Sequence, residues 1–220
     1  MANLIGFDLV GTLVRPECFS DARKSINVDT ESWWQAAQMK VNFEQVFDYV
    51  PVFDAWIEIL SSETLHKLFK DYLLGNVNKY LYSEVCTVLM DLADGGIRLA
   101  FVTDGSNDVE GLMIRKILQG CGIEADRCIV VTAQEVGAGK ATGKPFEELV
   151  RQARGEGVEG KDIVFVGDKW SADVDGPKRI GLRAVLLERG SGLGGNGIYK
   201  PDGIVNDLSE LRGLLKGNGA

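Results

Sequence analysis

The chain has 220 residues, enough to bury a full apolar core without needing disulfides or metals to fold. Its formal charge of −8, from 24 basic and 32 acidic side chains with no dense Lys/Arg block, excludes the electrostatic footprint of a nucleic-acid binder. The apolar N-terminal run has no basic leader and is interrupted by Asp8, and no segment reaches the uncharged apolar length of a membrane span. A cytoplasmic protein with a small-molecule partner, and with no nucleic acid or membrane, is the expectation.

The first element is "LIGFDLVGTL", Leu4 to Leu13, a short apolar run that ends on Asp8 and turns through Gly11 and Thr12. A carboxylate there is costly to desolvate unless a cation or a reaction uses it. From about Arg15 to Tyr82 glycine is almost missing and the aromatic residues gather. Helical spacing appears at Phe53, Trp56, Ile57 and Leu60, and again at Leu65, Leu68, Phe69 and Tyr72. These residues read as a helical insert. Of the 27 glycines only Gly6, Gly11 and Gly75 precede Gly95, so the composition itself marks a boundary.

After the insert, Ser83 stands as a helix start, Val85, Val88, Leu89 and Leu92 share one face, and Gly95-Gly96 ends the helix. Apolar runs at Leu99 to Val102, Ile129 to Val131, Ile163 to Val166 and Ala184 to Leu187 then alternate with helix-length segments. That alternation predicts an α/β fold, a Rossmann-like parallel sheet flanked by helices, with an inserted all-helical cap. Ligands of open sheets bind at the carboxyl ends of strands. The runs end there on Asp8, on Thr103-Asp104-Gly105 and on Gly167-Asp168, and Lys144-Pro145 precedes the helix before the fourth of these strands. Two acids and a lysine at one edge suggest a divalent metal and a phosphate.

These residues, in this order, resemble the haloacid dehalogenase-like (HAD) hydrolases over nearly the whole chain. The matching stretches are "FDLVGTL", "FVTDGS", "GKP" and "VGDKWSADVDGPKRIGLRAVLL", and the tail "PDGIVNDLSEL" is similar to the family's closing strand and helix. The resemblance implies a catalytic core from residues 1–14 and 83–220 with a helical cap over the site from residues 15–82. It also implies a site: Asp8 as nucleophile, Thr103 and Lys144 as the other catalytic residues, and phosphate held by Thr103, Asp104, Gly105 and Lys144. Mg²⁺ would be held by Asp8, Asp168, the Val10 backbone carbonyl and, more distantly, Asp173. The activity implied is Mg²⁺-dependent hydrolysis of a small phosphorylated metabolite through an aspartyl-phosphate on Asp8.

Phosphatases of this family usually carry a second Asp two residues after the nucleophile, as general acid and base. That position here is Val10. Loss of such a group forfeits roughly 10²–10⁴-fold in rate. Three readings follow. Either the substrate's leaving group needs no proton, as in acyl, aryl or anhydride phosphates, or the chain is a catalytically weakened phosphate-binding or regulatory protein, or it is a dehalogenase or phosphonate hydrolase. Retention of the acids in "VGDKWSAD" argues against a dehalogenase, and Lys24 and Lys40, the lysines available for a phosphonate-type Schiff base, lie in unfamiliar surroundings.

Other signals are weaker. "RGSGLGG", Arg189 to Gly195, contains GxGxxG but precedes no helix, and "EVGAGKAT" lacks the Ser or Thr of a P-loop. His66, the single histidine, reads as a solvated residue of the cap. Trp33, Trp34, Phe43, Phe47 and Tyr49 read mainly as cap core, and Trp170 as an aromatic shaping substrate entry. Cys18, Cys86, Cys121 and Cys128 lack CxxC spacing and read as structural thiols. Cys121 and Cys128 flank a short loop, which leaves a disulfide between them open in an extreme thermophile.

Overall fold

The computed structural model describes residues 2–25, 63–189 and 197–217. Six strands form one parallel sheet: β1 (Leu4–Phe7), β2 (Arg98–Thr103), β3 (Ile129–Thr132), β4 (Ile163–Gly167), β5 (Arg183–Leu187) and β6 (Gly203–Val205). Their spatial order is β3-β2-β1-β4-β5-β6. The chain therefore builds outward from β1 in one direction and then in the other, and the strand order reverses beside β1. A crevice at that switch point is where open parallel sheets place ligands.

The four apolar runs expected as strands are β2 to β5, each lengthened by one or two residues at most. Period-two alternation distributes their side chains between two cores. Ile5, Phe7, Phe101, Val164 and Val166 face one cluster. Leu4, Ala100, Val102, Ile163 and Phe165 face the other. Gly6 sits where a Cβ would lie 2.8 Å from the Phe165 ring, and that ring packs edge-on against Phe146 with centroids 4.8 Å apart.

Helices α1 (Glu17–Ser25), α2 (Glu63–Asn76), α3 (Val85–Asp94) and α4 (Leu112–Gly120) contribute Cys18, Ala22, Phe69, Leu73, Val85, Leu89 and Ile117 to the first cluster. The second cluster is covered by α5 (Lys144–Gly155) through Phe146, Leu149 and Ala153. Ser83 does not cap α3; Glu84 stands at that position. A final helix, α6 (Leu211–Gly217), follows β6. No helix of the described residues is long and apolar enough to cross a membrane.

The aromatic residues of the expected cap between Trp33 and Trp56, together with Lys40, lie outside the described residues. Lys24 is exposed on α1, 3.3 Å from Asp21. The cysteine pairing left open above is not formed. Cys121 is bonded to Cys86, which joins the first turn of α3 to the end of α4, while Cys18 and Cys128 are free. Loop proximity along the chain misleads here because the two helices are neighbours only after they dock on the sheet.

Candidate active site

Pairing of β1 with β4 sets Phe7 opposite Val166, so the residues that follow these strands leave the sheet at one edge. Asp8 extends the ladder by donating its N–H to the Val166 carbonyl over 2.9 Å, and its side chain is buried. The loop after it turns at Gly11, whose φ is +93°, and a Cβ there would lie 2.1 Å from Asp168 Oδ2. Only glycine meets both demands, so the loop after Asp8 packs directly on the Asp168 carboxylate. Gly167 does the same for Asp173: a Cβ would stand 2.3 Å from its carboxyl carbon. Asp173 is further fixed by accepting the Lys169 N–H at 2.8 Å.

These constraints bring one carboxylate oxygen from each of Asp8, Asp168 and Asp173 within 4.8 Å of one another. Asp168 Oδ1 is buried with no hydrogen-bond partner. Burial first, and the Asp8 charge second, push Asp168 up to about 6. Asp173 is also raised, to about 7, because burial and Asp8 outweigh the pull of Lys140. Crowded, desolvated carboxylates with an orphaned oxygen fit a hard divalent cation, which prefers oxygen ligands and relieves their repulsion.

The lysine of the site is Lys140, not Lys144. Lys140 is fully buried, donating from Nζ to Asp8 Oδ1 and, over 2.6 Å, to Asp173 Oδ1. Burial disfavours its charge, yet Asp173, Asp8 and Asp104 outweigh burial and hold it firmly protonated. Lys144 opens α5 and is exposed. A short turn at Lys140–Thr142 and the positive φ of Gly143, +88°, separate the two lysines and send them in different directions. Gly176 permits this placement, since a Cβ there would lie 2.3 Å from the Lys140 carbonyl oxygen. The only sequence signal for Lys140 was a second Gly-Lys step in "GAGKATGKP".

Thr103 ends β2 with its hydroxyl buried, accepting the Gly105 N–H at 3.3 Å. Asp104 Oδ1 accepts the Lys140 N–H at 2.7 Å and so positions that residue. Beneath the loop lies a residue that sequence reasoning missed, Glu110. It accepts the Ser106 N–H at 2.8 Å, and a Cβ on Gly105 would clash with it. Burial pushes Glu110 up to about 7. Val10 is half-buried and packs against the first core cluster, and Thr12 offers its hydroxyl to Asp8 Oδ2 at 3.4 Å.

Trp170 donates its indole N–H to the Tyr199 carbonyl at 3.0 Å, and its ring lies against Gly197 and the Val174, Ala184, Leu186 cluster. His66 is not a simple solvated residue, because its Nε2 lies 3.1 Å from Asp108 Oδ2 on the loop after β2.

The chain belongs to the haloacid dehalogenase-like hydrolases, whose family model matches residues 2–181. It is therefore a hydrolase of that class. Curated relatives include haloacid dehalogenase-like hydrolase domain-containing protein 3 of Danio rerio, 24% identical over 87% of this chain and 72% of the relative. The phosphoserine phosphatase of Thermus thermophilus is 34% identical over 60% of this chain and 49% of its own length. The glyceraldehyde 3-phosphate phosphatase of Methanopyrus kandleri is 31% identical over 50% and 44% respectively, so the match spans about half of these phosphatases. Among solved structures, a HAD phosphatase from Thermococcus onnurineus shares the fold with a TM-score of 0.70 at 23% identity over all of both chains. A magnesium-bound HAD hydrolase from Bacillus subtilis does so with a TM-score of 0.67 at 16% identity, over 98% of this chain and 99% of that one.

Proposed function

We propose that the chain is an Mg²⁺-dependent phosphohydrolase that acts on a small phosphorylated metabolite through Asp8. The observation that carries this reading is the contact of one buried ammonium, Lys140, with both Asp8 and Asp173, beside an Asp168 oxygen left without a partner. Asp8, Asp168 and Asp173 would hold the metal, with the Val10 carbonyl completing the protein's share. When bound, the ion supplies charge neutralisation at the transferring phosphoryl group.

The chain's own residues account for the remaining steps. An Asp8 carboxylate oxygen attacks phosphorus, and the bond from phosphorus to the leaving oxygen breaks with its electron pair staying on that oxygen. The covalent aspartyl-phosphate divides one difficult displacement into two. Lys140 balances the charge of Asp8 and of the transferring oxygens, and the Thr103 hydroxyl with the N–H groups after it holds those oxygens in place. Water then attacks phosphorus, the bond from phosphorus to the Asp8 oxygen breaks with its electron pair returning to the carboxylate, and the protons of the water leave on orthophosphate. Val10 offers no proton to the leaving group, so the reading favours acyl, aryl or anhydride phosphates, whose leaving groups depart as stable anions. Residues 15–82 would form the cap that selects among them.

The test is hydrolysis of acetyl phosphate and para-nitrophenyl phosphate by the wild type and Asp8→Asn, with Mg²⁺ and with EDTA. Metal-dependent turnover that disappears in Asp8→Asn is expected. Mg²⁺ binding without Asp8-dependent turnover would replace this reading with that of a phosphate-binding protein.

A further inference from the structure

Arg189, just past β5, touches three segments at once. Its Nη2 donates to the Thr12 carbonyl over 2.8 Å and pairs with Glu84 over 2.6 Å, and the guanidinium lies 3.5 Å from the centroid of the Tyr82 ring. The Arg189 and Glu84 side chains are only 13% and 16% exposed. Thr12 belongs to the loop that carries Asp8 and Val10. Tyr82 and Glu84 belong to the segment that leads from α2 into α3. Their backbones already meet, since the Tyr82 N–H donates to the Leu13 carbonyl at 3.1 Å and Val14 bridges Leu81 antiparallel. Arg189 closes this contact from a third element.

A mostly buried guanidinium is costly unless its charge and its N–H groups are used. Glu84 alone would answer the charge. Both polar contacts come from Nη2 and the Arg189 Nε is buried without a partner, so what a lysine ammonium cannot reproduce is the guanidinium plane lying on the Tyr82 ring. Thr12 is fully buried, so its carbonyl has no water to turn to when the donor is lost.

We propose that Arg189 is a positioning residue that clamps the Gly11–Val14 turn onto the Leu81–Glu84 segment and so holds the nucleophile loop against Asp168. The role of that loop in metal and phosphate binding rests on the function proposed above. Arg189 touches no reacting atom; it acts through Thr12 and the main chain that continues to Val10 and Asp8.

The experiment uses the full chain as wild type, Arg189→Met, Arg189→Lys and the double variant Arg189→Met/Glu84→Gln, which removes the carboxylate that the single change would leave buried and unpaired. Three readouts are taken: amide hydrogen exchange of the peptide covering residues 9–14 without metal, the Kd for Mg²⁺ by calorimetry, and kcat and KM for acetyl phosphate. In all three variants, exchange at residues 9–14 is expected to quicken about tenfold and Mg²⁺ binding to weaken several-fold, with kcat falling more than KM changes. The double variant is expected to regain the melting temperature lost by Arg189→Met without regaining exchange protection or Mg²⁺ affinity. Recovery of all three together would show that Arg189 serves stability alone and would overturn the proposal. If Arg189→Met does not fold, the double variant and Arg189→Lys carry the same comparison. A wild type that binds Mg²⁺ but shows no Asp8-dependent turnover sinks the phosphohydrolase reading, while exchange and Mg²⁺ affinity still decide the role of Arg189.

Discussion

Lys140 Nζ donates to Asp173 Oδ1 across 2.6 Å while also holding Asp8, so one ammonium joins the acid after β1 to an acid in the turn after β4. All three side chains are almost wholly buried. Lys140→Met is expected to lower Asp8-dependent turnover by roughly 10²-fold or more, since in the proposed reaction it removes the fixed cation that balances the transferring charge. It also leaves carboxylates unpaired, a loss of order 3–5 kcal/mol that added Mg²⁺ should partly offset. Lys144→Met, at an exposed position, should stay within about twofold of wild type in activity and about 0.5 kcal/mol in stability. Steady-state kinetics and thermal melts of the two variants check this, and equal loss of activity in both would contradict the assignment of Lys140.

Val10→Asp places a carboxyl group two residues after Asp8, the nucleophile of the proposed reaction. Turnover of alkyl phosphates, whose leaving alkoxide needs a proton, should rise by more than that of acetyl phosphate, whose leaving carboxylate does not. A gain toward the roughly 10²-fold scale of general acid catalysis is the upper expectation. Comparable gains on both substrates would remove the leaving-group account of Val10.

The pH dependence of metal stabilisation has a definite sign. Asp168 is raised by burial and by Asp8 to about 6, so the native state keeps a proton that the unfolded chain has already lost near pH 4. Metal-free stability should therefore fall as pH rises between about 4 and 6, and Asp173, raised in the same sense, adds to the fall. Mg²⁺ binds the ionised carboxylates, so its increment in melting temperature should be larger at pH 8 than at pH 5. Glu110, raised by burial to about 7, contributes to the metal-free slope without touching the acid cluster. Glu110→Gln should flatten that slope and leave the Mg²⁺ increment in place. Melts at both pH values, with and without Mg²⁺, test the pattern; an increment independent of pH would refute it.

The Cys86–Cys121 bond closes a sequence separation of 35 residues between α3 and α4. Reduction is expected to cost about 3 kcal/mol, seen as a lower denaturation midpoint, through the freedom regained by the unfolded chain. Alkylation of the denatured, unreduced chain should label Cys18 and Cys128 alone. Labelling of all four cysteines would show the bond to be absent.

The alternation of apolar runs with helical segments determined the parallel sheet, because strand and helix periods are written in consecutive residues. The same local reading placed Asp8, Thr103 and Asp168 at one edge, since polar groups that end buried strands have nowhere else to go. Tertiary structure decided what depends on distant partners. Lys140 and Lys144 share a Gly-Lys context, and only the left-handed turn at Gly143 and the carboxylate of Asp8, 132 residues away, select the first. Cys121 pairs across docked helices rather than across its own loop, and the Trp170 indole N–H donates to the Tyr199 carbonyl. Glu110 and Arg189 read as ordinary charges in the sequence. Their burial under Gly105 and behind Thr12 is a property of the packed sheet edge that no local pattern encodes.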